Sequence, residues 1–402
     1  MTFAPSGVVV LSQPDAPDAP LGTLAEFASP AEASCDANGV VQDGSERRLR
    51  RWEMQASVRD LLPGHRVCTC YRHRLPKQAD RAGQDNAIRV YRREDQHTYY
   101  KGLKVCGSVW VCPVCAAKIS ERRRAELQGA VDSWRAGGGS VWLLTLTVPH
   151  QRETEPFCLL DGLLRAYRGF NSGKVAWTAL TPGYVGSVRA LEVTYGANGW
   201  HPHLHVLVFT QVGMSDRQRL RLQTDLRKKW ATVVARCGLG TVNCHGLKLD
   251  DGLQAASYVG KWGVVEELTK AHTKMGRNGG RTPWALLDDY MNGDEQAGAL
   301  FRQFTEVFKG RSQLQWSRGL RDFLGLNVEK SDEQLAAETV QAEDALLARI
   351  HPADWKLIRQ NELRGVVLEV LRSGTWADIE RMLDLYRTPL PVSYTHLRAH
   401  ET

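Results

Sequence analysis

The sequence lacks any apolar run long enough to cross a bilayer, and its N-terminus lacks the basic-then-apolar layout of a signal peptide. These absences argue against an integral membrane protein and a secreted one, and we expect a cytoplasmic protein with no membrane partner. A Walker nucleotide motif is also missing, so we expect no built-in helicase. In such a setting the nine cysteines indicate metal ligands or free thiols rather than disulfides.

The charge balance points mildly to an anionic partner. The 402 residues carry 52 Lys and Arg against 45 Asp and Glu, a formal net charge of +7, which favours a polyanion such as nucleic acid. Basic residues gather between about Arg47 and Arg124 and again from Lys261 to Arg321, whereas the sequence after Lys330 turns acidic.

Five of the cysteines fall in one segment, and Cys112-Pro113-Val114-Cys115 has the form of a zinc knuckle, a turn that lets two thiolates reach one ion. A tetrahedral zinc needs two more ligands. We choose Cys106 and Cys70, with Cys68, His65 or His73 possible in place of Cys70. A full thiolate set leaves no position for substrate, so this Zn²⁺ would be structural and would hold a basic module, residues 71–104, against DNA or the catalytic domain. The competing interpretation is a group of reduced, packed cysteines.

A helix and a strand are predicted after the cysteines. Apolar residues recur at helical spacing from Ala116 to Arg135, and a run of glycines ends the pattern. The opposite face carries residues 122–124, three arginines that form either a phosphate-facing stripe or a solvated face. Ser140 to Pro149 is nearly continuous in apolar and β-branched residues, which predicts a central strand.

Residues 189–209 read as two antiparallel strands around Asn198-Gly199, a pair that favours a type I′ turn with positive φ at both positions. If these two residues are the whole loop, Thr194 lies opposite His203 and Glu192 lies opposite His205.

Side chains alternate along a strand, so His203 and His205 share one face with Glu192. Two neutral imidazoles and a carboxylate, with positions left open, suit a divalent ion such as Mn²⁺ or Mg²⁺ that polarises a phosphodiester, and suit a closed zinc site poorly. His201 has the same parity and is a secondary candidate. The competing interpretation is a pair of partly exposed strand histidines that bind nothing.

Composition and periodicity divide the chain into five segments. The first lacks sustained periodicity, as disordered chains do, and the last bears no relation to what precedes it and looks like translated read-through, which we exclude from the fold. In the acidic tail we expect three helices, over residues 332–350, 352–372 and 375–386. The segments are 1–45 (disordered leader), 46–136 (zinc-binding basic module and linking helix), 137–325 (catalytic domain), 326–391 (acidic helical tail) and 392–402 (non-native read-through).

His203-Leu204-His205 resembles the His-hydrophobic-His motif of the HUH endonucleases, and residues 199–205 are similar to its form in plasmid rolling-circle replication initiators (Rep proteins). The Thr145-Leu146-Thr147 strand and the Cys-Pro-x-Cys cluster resemble further parts of that family. The resemblance covers about residues 59–325. It implies an α+β protein: an antiparallel-sheet HUH-type catalytic domain with flanking helices, preceded by a zinc-binding basic module and followed by an accessory helical region.

Residues 253–268 are predicted to form a helix that places Tyr258 and Lys261 on one face. Tyr-x-x-Lys lies downstream of the histidines in the order that the Rep family shows for its catalytic tyrosine. The resemblance therefore implies that Tyr258 is the nucleophile, and Lys261 would favour its phenolate. Some relatives have Glu one turn before the tyrosine, where this chain has Gln254, which cannot act as a general base. Asp250, Asp251 and Glu266 are weak substitutes for that base.

We therefore expect an initiator that binds plasmid origin DNA, nicks one strand through a 5′-phosphotyrosyl intermediate, and leaves elongation to host helicase and polymerase. An HUH-type transposase or relaxase would use the same chemistry. A zinc-containing DNA-binding regulator without catalytic activity is the rival from another class. The sequence gives neither the origin nor the oligomeric state.

Overall fold

The structure, a computed structural model, describes residues 44–76, 87–252 and 280–387. Within these ranges helices combine with two antiparallel sheets, which confirms the predicted α+β class. The predicted leader up to residue 43, the segment that holds Gln254, Tyr258 and Lys261, and residues 392–402 lie outside the described residues. None of the helices in the three described ranges has both the length and the apolar character of a membrane span.

The elements have the following bounds. The helices are α1 (Gly44–Leu61), α2 (Pro113–Ala136), α3 (Pro156–Phe170), α4 (Trp177–Leu180), α5 (Asp216–Arg236), α6 (Pro283–Met291), α7 (Glu295–Val307), α8 (Leu320–Phe323), α9 (Asp332–Ala336), α10 (Pro352–Gln360), α11 (Arg364–Val370) and α12 (Trp376–Arg387). The strands are β1 (Ile88–Arg92), β2 (Thr98–Lys101), β3 (Ser140–Leu146), β4 (Tyr184–Gly196), β5 (Gly199–Thr210), β6 (Leu247–Asp251), β7 (Leu314–Trp316) and β8 (Ala345–Ile350).

The larger sheet has the order β6-β3-β5-β4-β7 with every pair antiparallel. The run from Ser140 forms the strand β3 between β6 and β5, as predicted. Because side chains alternate, Val206 on one face of β5 belongs to the same buried cluster as Trp230 of α5, and Leu207 on the opposite face belongs to the cluster that contains Leu127 of α2. His203 and His205 lie on this second face, further along β5.

The turn between β4 and β5 differs from the predicted type I′ turn. Gly196 pairs with Gly199, so the loop is Ala197-Asn198, and of these residues only Gly199 has a positive φ, +81°. A turn followed by one left-handed residue is a second common solution for a short hairpin, and glycine occupies that position at no steric cost.

Because the turn differs from the prediction, the register of β4 against β5 differs as well. Glu192 lies opposite His203, and Ala190 lies opposite His205, so the predicted pairing of Thr194 with His203 and of Glu192 with His205 is wrong. The error is two residues along one strand, which leaves every side chain on the face where the prediction placed it.

The acidic tail is not a row of three helices. The predicted helix over residues 332–350 is wrong beyond Ala336, because residues 345–350 form β8, which pairs with β1 in a sheet of order β2-β1-β8. Ala348 and Ile350 are buried and Arg349 between them is exposed, which is the period of a strand. The second predicted helix is broken into α10 and α11 at Glu362, where φ is +54°.

One buried carboxylate fastens the tail to the cysteine-rich half of the chain. The Glu338 side chain is 2% exposed and accepts from Lys118 at 2.7 Å, from Arg122 at 2.7 Å and from Arg93 at 2.9 Å. Arg123 next to Arg122 pairs with Asp332 at 2.6 Å. Two of the three arginines at residues 122–124 thus hold the tail, a role that neither sequence interpretation included.

We expect Glu338→Gln to lower the free energy of unfolding by about 3 kcal/mol, because it leaves three cations around a site without their counter-charge. Burial opposes ionisation of Glu338, but Lys118 and the neighbouring cations outweigh it and hold its pKa well below the usual range. A depressed pKa stabilises the fold fully above the unfolded value of 4.5 and progressively less below it. Urea unfolding at several pH values should therefore show the difference between the two proteins shrinking as the pH falls below about 4.5.

Glu333→Gln is the matched control. Glu333 also pairs with an arginine, Arg66 at 2.8 Å, but both side chains are about half exposed, so its loss should cost less than about 1 kcal/mol. Equal effects of the two substitutions would contradict a specific role for Glu338.

Candidate metal centres

The structure brings Glu192, His203 and His205 together on one face of the sheet, where His205 is buried and the other two side chains are partly exposed. The carboxylate Oε2 of Glu192 lies 3.1 Å from Nε2 of His203 and 3.6 Å from Nε2 of His205. One ligand atom from each of the three residues lies within 4.8 Å of the others. The carboxylate reaches both rings although its residue faces only His203, because same-face diagonal neighbours across a sheet remain within reach of a long side chain.

The far nitrogens of both rings are already engaged. Nδ1 of His205 lies 3.1 Å from the Thr145 hydroxyl, and Nδ1 of His203 lies 3.3 Å from the carbonyl oxygen of His201. Such outer hydrogen bonds fix the orientation of each ring, and both Nε2 atoms lie on the side of the Glu192 carboxylate. Imidazole nitrogens and a carboxylate oxygen are therefore presented to one point, as a divalent metal requires.

Charge around this point is arranged for a cation. Burial opposes ionisation of Glu192, but the neighbouring His205 and the hydrogen bonds from both rings outweigh it and hold the pKa of Glu192 below its usual range. Burial lowers the pKa of His201 to about 3, with His203 and His150 adding to the effect, so His201 is neutral. Burial opposes protonation of His203, but the hydrogen bond and charge of Glu192 outweigh it and raise the pKa of His203. A divalent ion bound here would displace that ring proton and keep the ionised carboxylate as a ligand.

His201, the secondary candidate, lies beside the three-residue group and outside it. Its ring stacks on His150 with centroids 4.7 Å apart, and both rings line a cavity of about 430 Å³ together with Thr194 and His245. Sequence reasoning missed His150. The available signal was its position just after the β3 strand, one residue past the proline that ends the apolar run.

Lys248 and Asp250 on the edge strand β6 share the face of His205. Lys248 lies opposite Thr145, which lies opposite His205. Asp250 pairs with Lys248 at 3.0 Å and is on the same face, whereas Asp251 is on the opposite one. Of these two candidate bases for terminating hydrolysis, only Asp250 is on the side of the histidines.

Tyr258 and Lys261 lie outside the described residues, but the two ends of their segment are defined. Gly252 follows β6 directly, and Gly280 lines the same cavity as Thr194 and His201. The next residue, Arg281, exchanges two backbone hydrogen bonds of 2.7 Å with Tyr195. The segment from 253 to 279 therefore leaves the sheet two strands from His205 and rejoins it beside His201.

A second group consists of four buried sulfurs. The Sγ atom of Cys115 lies 3.5 Å from that of Cys70 and 3.6 Å from that of Cys106, and the Sγ atoms of Cys70 and Cys112 are 3.8 Å apart. A tetrahedral zinc with Zn–S bonds near 2.3 Å requires sulfurs about 3.8 Å apart. The four thiols thus have the separations of a zinc site.

The surroundings of these sulfurs also fit thiolates. Gln55 donates through Nε2 to Cys112 Sγ at 3.1 Å, and the backbone N–H of Cys106 donates to Cys70 Sγ at 3.4 Å. Cys112 caps the N-terminus of α2, where the helix dipole favours negative charge. Cys68, which the sequence allowed as a ligand, points elsewhere and donates to the carbonyl oxygens of Leu62 and Pro63.

The two histidines near the cysteines, His65 and His73, are not in this group either. His65 accepts from the backbone N–H of Val67 at 3.1 Å, and His73 is exposed. The structure therefore favours the combination of Cys70, Cys106, Cys112 and Cys115 that the sequence suggested.

An antiparallel sheet with a Glu-His-His group on one face, joined to a buried four-cysteine group, defines an α+β protein with two candidate metal centres. Residues 101–361 match the Rep_1 family, described as replication protein, and the chain belongs to that family. The matched range includes the Glu-His-His group and three of the four cysteines.

Two curated relatives are similar to parts of the chain. A "Protein rep" from Streptomyces lividans is 27% identical over 356 residues, 71% of this chain and 75% of the relative. A "Neomycin resistance protein" from Streptomyces cyanogenus is 33% identical over 145 residues, and this match spans 29% of the chain and a third of the relative. No solved structure matches the chain.

Proposed function

We propose that this replication protein initiates rolling-circle replication of a plasmid by nicking and rejoining one DNA strand at the origin, with Tyr258 as nucleophile. The observation that supports it is the convergence of Glu192, His203 and His205 on one point of a sheet face. Membership in the replication protein family supports the biological setting. We place this activity in the cytoplasm, with host helicase and polymerase extending the product.

The chemistry has two bond changes. The Tyr258 phenol loses its proton to solvent, its oxygen attacks the phosphorus of one phosphodiester, and the bond from phosphorus to the 3′ oxygen breaks. The 3′ oxygen takes a proton from water and becomes the 3′-OH primer, while the 5′ phosphate stays on Tyr258. Lys261, one helical turn from Tyr258 if the segment is helical, would favour the phenolate by its positive charge.

The three-residue group would hold a divalent cation such as Mn²⁺ or Mg²⁺, which polarises the phosphodiester when bound. The residues fit such an ion, because both Nε2 atoms and one carboxylate oxygen face one point and both Nδ1 atoms are already hydrogen-bonded. Thr145 is a positioning residue for the His205 ring. Asp250 is our candidate for the base that activates water at termination, since Gln254 cannot act as one.

We propose that the four-cysteine group holds a structural Zn²⁺. The four sulfurs leave no position for substrate, and hydrogen bonds from Gln55 and from the backbone support thiolate charge. The zinc would fix the junction of α1, α2 and the segment that leads to β1.

The test uses a single-stranded oligonucleotide from the replicon's origin that carries a label in its 3′ portion, incubated with the full chain and either Mn²⁺ or EDTA. We expect a labelled protein band on a denaturing gel with Mn²⁺ and none with EDTA. DNA binding without an adduct under any metal would favour the regulator without catalytic activity. Efficient transfer of the bound strand to an unrelated DNA end would favour a transposase or relaxase.

A further inference from the structure

The sequence predicts that the basic module, residues 71–104, lies against DNA or the catalytic domain, and the structure separates its buried side chains from its outward-facing ones. Tyr71 and Tyr100 are in the core. Arg72 pairs with Glu362, and Arg93 pairs with Glu338. The outward-facing cations of the described part of this segment include Arg74 and Lys104, and these two come together.

The tail contributes two more cations to the same place. Lys356 and Arg359 on α10 line, with Arg74 and Lys104, an open cleft of about 420 Å³, here called the basic cleft. Arg72, His73, Pro352 and Trp355 complete its lining. The cleft is therefore shared between the cysteine-rich module and a region whose overall composition is acidic.

The cleft holds more positive charge than its surroundings neutralise. No acidic residue lines it, and within the described ranges none of Arg74, Lys104, Lys356 and Arg359 has an ion pair. The nearby Glu362 already pairs with Arg59, Arg72 and Arg364. Four cations concentrated without counter-charge repel one another, so the arrangement suits a polyanion.

The pKa of His73 is lowered, as expected beside this concentration of positive charge. Burial lowers it, and the charges of Arg359, Lys104 and Arg72 lower it further. His73 therefore stays neutral in the cleft, and the fixed charge comes from the lysines and arginines.

The walls of the cleft are held by hydrogen bonds. Tyr71 N–H donates to the carbonyl of Lys104 and Lys104 N–H donates to the carbonyl of His73, both at 2.8 Å. The Trp355 indole donates to the carbonyl of Arg72 at 3.2 Å and fastens α10 to this wall. The four cations are thus presented by a braced scaffold formed by two distant parts of the sequence.

We propose that the basic cleft binds backbone phosphates of duplex DNA at the origin, so that the tail and the cysteine-rich module contact the origin together. The proposal rests on the proposed function in taking origin DNA as the partner. Duplex rather than single-stranded DNA fits because single strands are held by stacking bases on exposed aromatic rings. Among the described residues, the lining contains no Phe or Tyr, its Trp355 is 5% exposed and committed to the core, and its other ring is the imidazole of His73.

The test compares the full chain with the double variant Lys104→Ala/Lys356→Ala by fluorescence anisotropy, using a labelled origin duplex at several salt concentrations. Each lost phosphate contact lowers the slope of log K against log salt by about 0.9. We expect the slope to fall by about 1.8 for duplex and to change little for a single strand of the same sequence. Inorganic phosphate at matched ionic strength should not compete.

The control is Lys228→Ala/Arg381→Ala, which removes the same net charge from exposed residues that each pair with an aspartate on their own helix. It should leave the duplex slope unchanged. An equal fall in the control, an unchanged slope in the cleft variant, or an equal loss for single-stranded DNA would each overturn the proposal. The adduct assay with a short single-stranded oligonucleotide, run on the cleft variant, should give the wild-type yield, and absence of an adduct from the wild type would count against the nicking function alone.

Discussion

Tyr258→Phe should abolish the labelled covalent adduct while leaving Mn²⁺ binding unchanged. Phenylalanine keeps the ring but removes the oxygen that would bond to phosphorus, and loss of a catalytic nucleophile typically costs about 10⁶-fold in rate. We propose Glu192, His203 and His205 as the metal ligands, so the metal affinity measured by titration should be that of the unmodified chain. The two measurements together separate loss of chemistry from loss of fold.

The geometry of the described residues supports this choice of tyrosine. β6 ends at Asp251 opposite Trp142, three residues along β3 from Thr145 and so about 10 Å from the row of His205. Tyr258 follows Asp251 by seven residues, which span about 10 Å as a helix and more than about 20 Å when extended. The chain length therefore permits the Tyr258 hydroxyl to return to the metal face.

Tyr386→Phe is the matched control, because Tyr386 is 44% exposed on α12 in the tail. It should form the adduct at the wild-type yield. Persistence of the adduct in Tyr258→Phe would assign the nucleophile to another residue, and loss of the adduct in both variants would show that the assay does not report on a single tyrosine.

The sequence could predict that Glu192, His203 and His205 share one face of the sheet, because the alternation of side chains along a strand tolerates an even error in register. The predicted pairing of Glu192 with His205 was wrong by two residues, yet the three side chains still share one face. A period of two makes a shift of two harmless, whereas a shift of one would have turned Glu192 away from both histidines. What the sequence could not give was His150, since its contact with His201 depends on how the chain after β3 folds back.

In the tail, the local sequence pattern predicts the wrong secondary structure for residues 345–350. β8 exists because residues 345–350 pair with residues 88–92, some 250 positions earlier in the chain. A short apolar run favours helix and strand almost equally, and only the distant partner decides between them. For the same reason the partners of Arg122 and Arg123 in the tail were not foreseen, although the helix that carries these arginines was.

The choice between Cys68 and Cys70 as a zinc ligand also depends on tertiary structure. Both lie at the end of a short 3-10 turn, Arg66–Thr69, and the local sequence does not rank them. The difference arises because Cys70 is fully buried beside Cys112 and Cys115, while Cys68 bonds to carbonyl groups at the end of α1. This difference leads to the second large expected effect.

Cys115→Ser should remove the bound zinc and unfold the cysteine-rich module. Zinc held by four ligands contributes on the order of 10 kcal/mol of binding free energy at neutral pH, and a serine hydroxyl is a poor replacement for a thiolate. The loss should reach the tail, because Gln55 bonds Cys112 Sγ through its amide nitrogen and accepts from the buried Arg364 of α11 at 2.9 Å. We expect about one zinc per wild-type chain by elemental analysis, and a large fall in the unfolding temperature of the variant.

Cys68→Ser separates the zinc site from general cysteine chemistry. Its sulfur is outside the four-thiol group, so this variant should keep its zinc and lose little stability. Zinc retained by Cys115→Ser, or lost from Cys68→Ser, would contradict the ligand set.

If the module does unfold without zinc, the basic cleft should be lost with it, because the wall that carries Arg74 and Lys104 leads directly from Cys70. If both proposals hold, chelation of the proposed zinc should weaken duplex binding even when the Glu-His-His group is supplied with Mn²⁺.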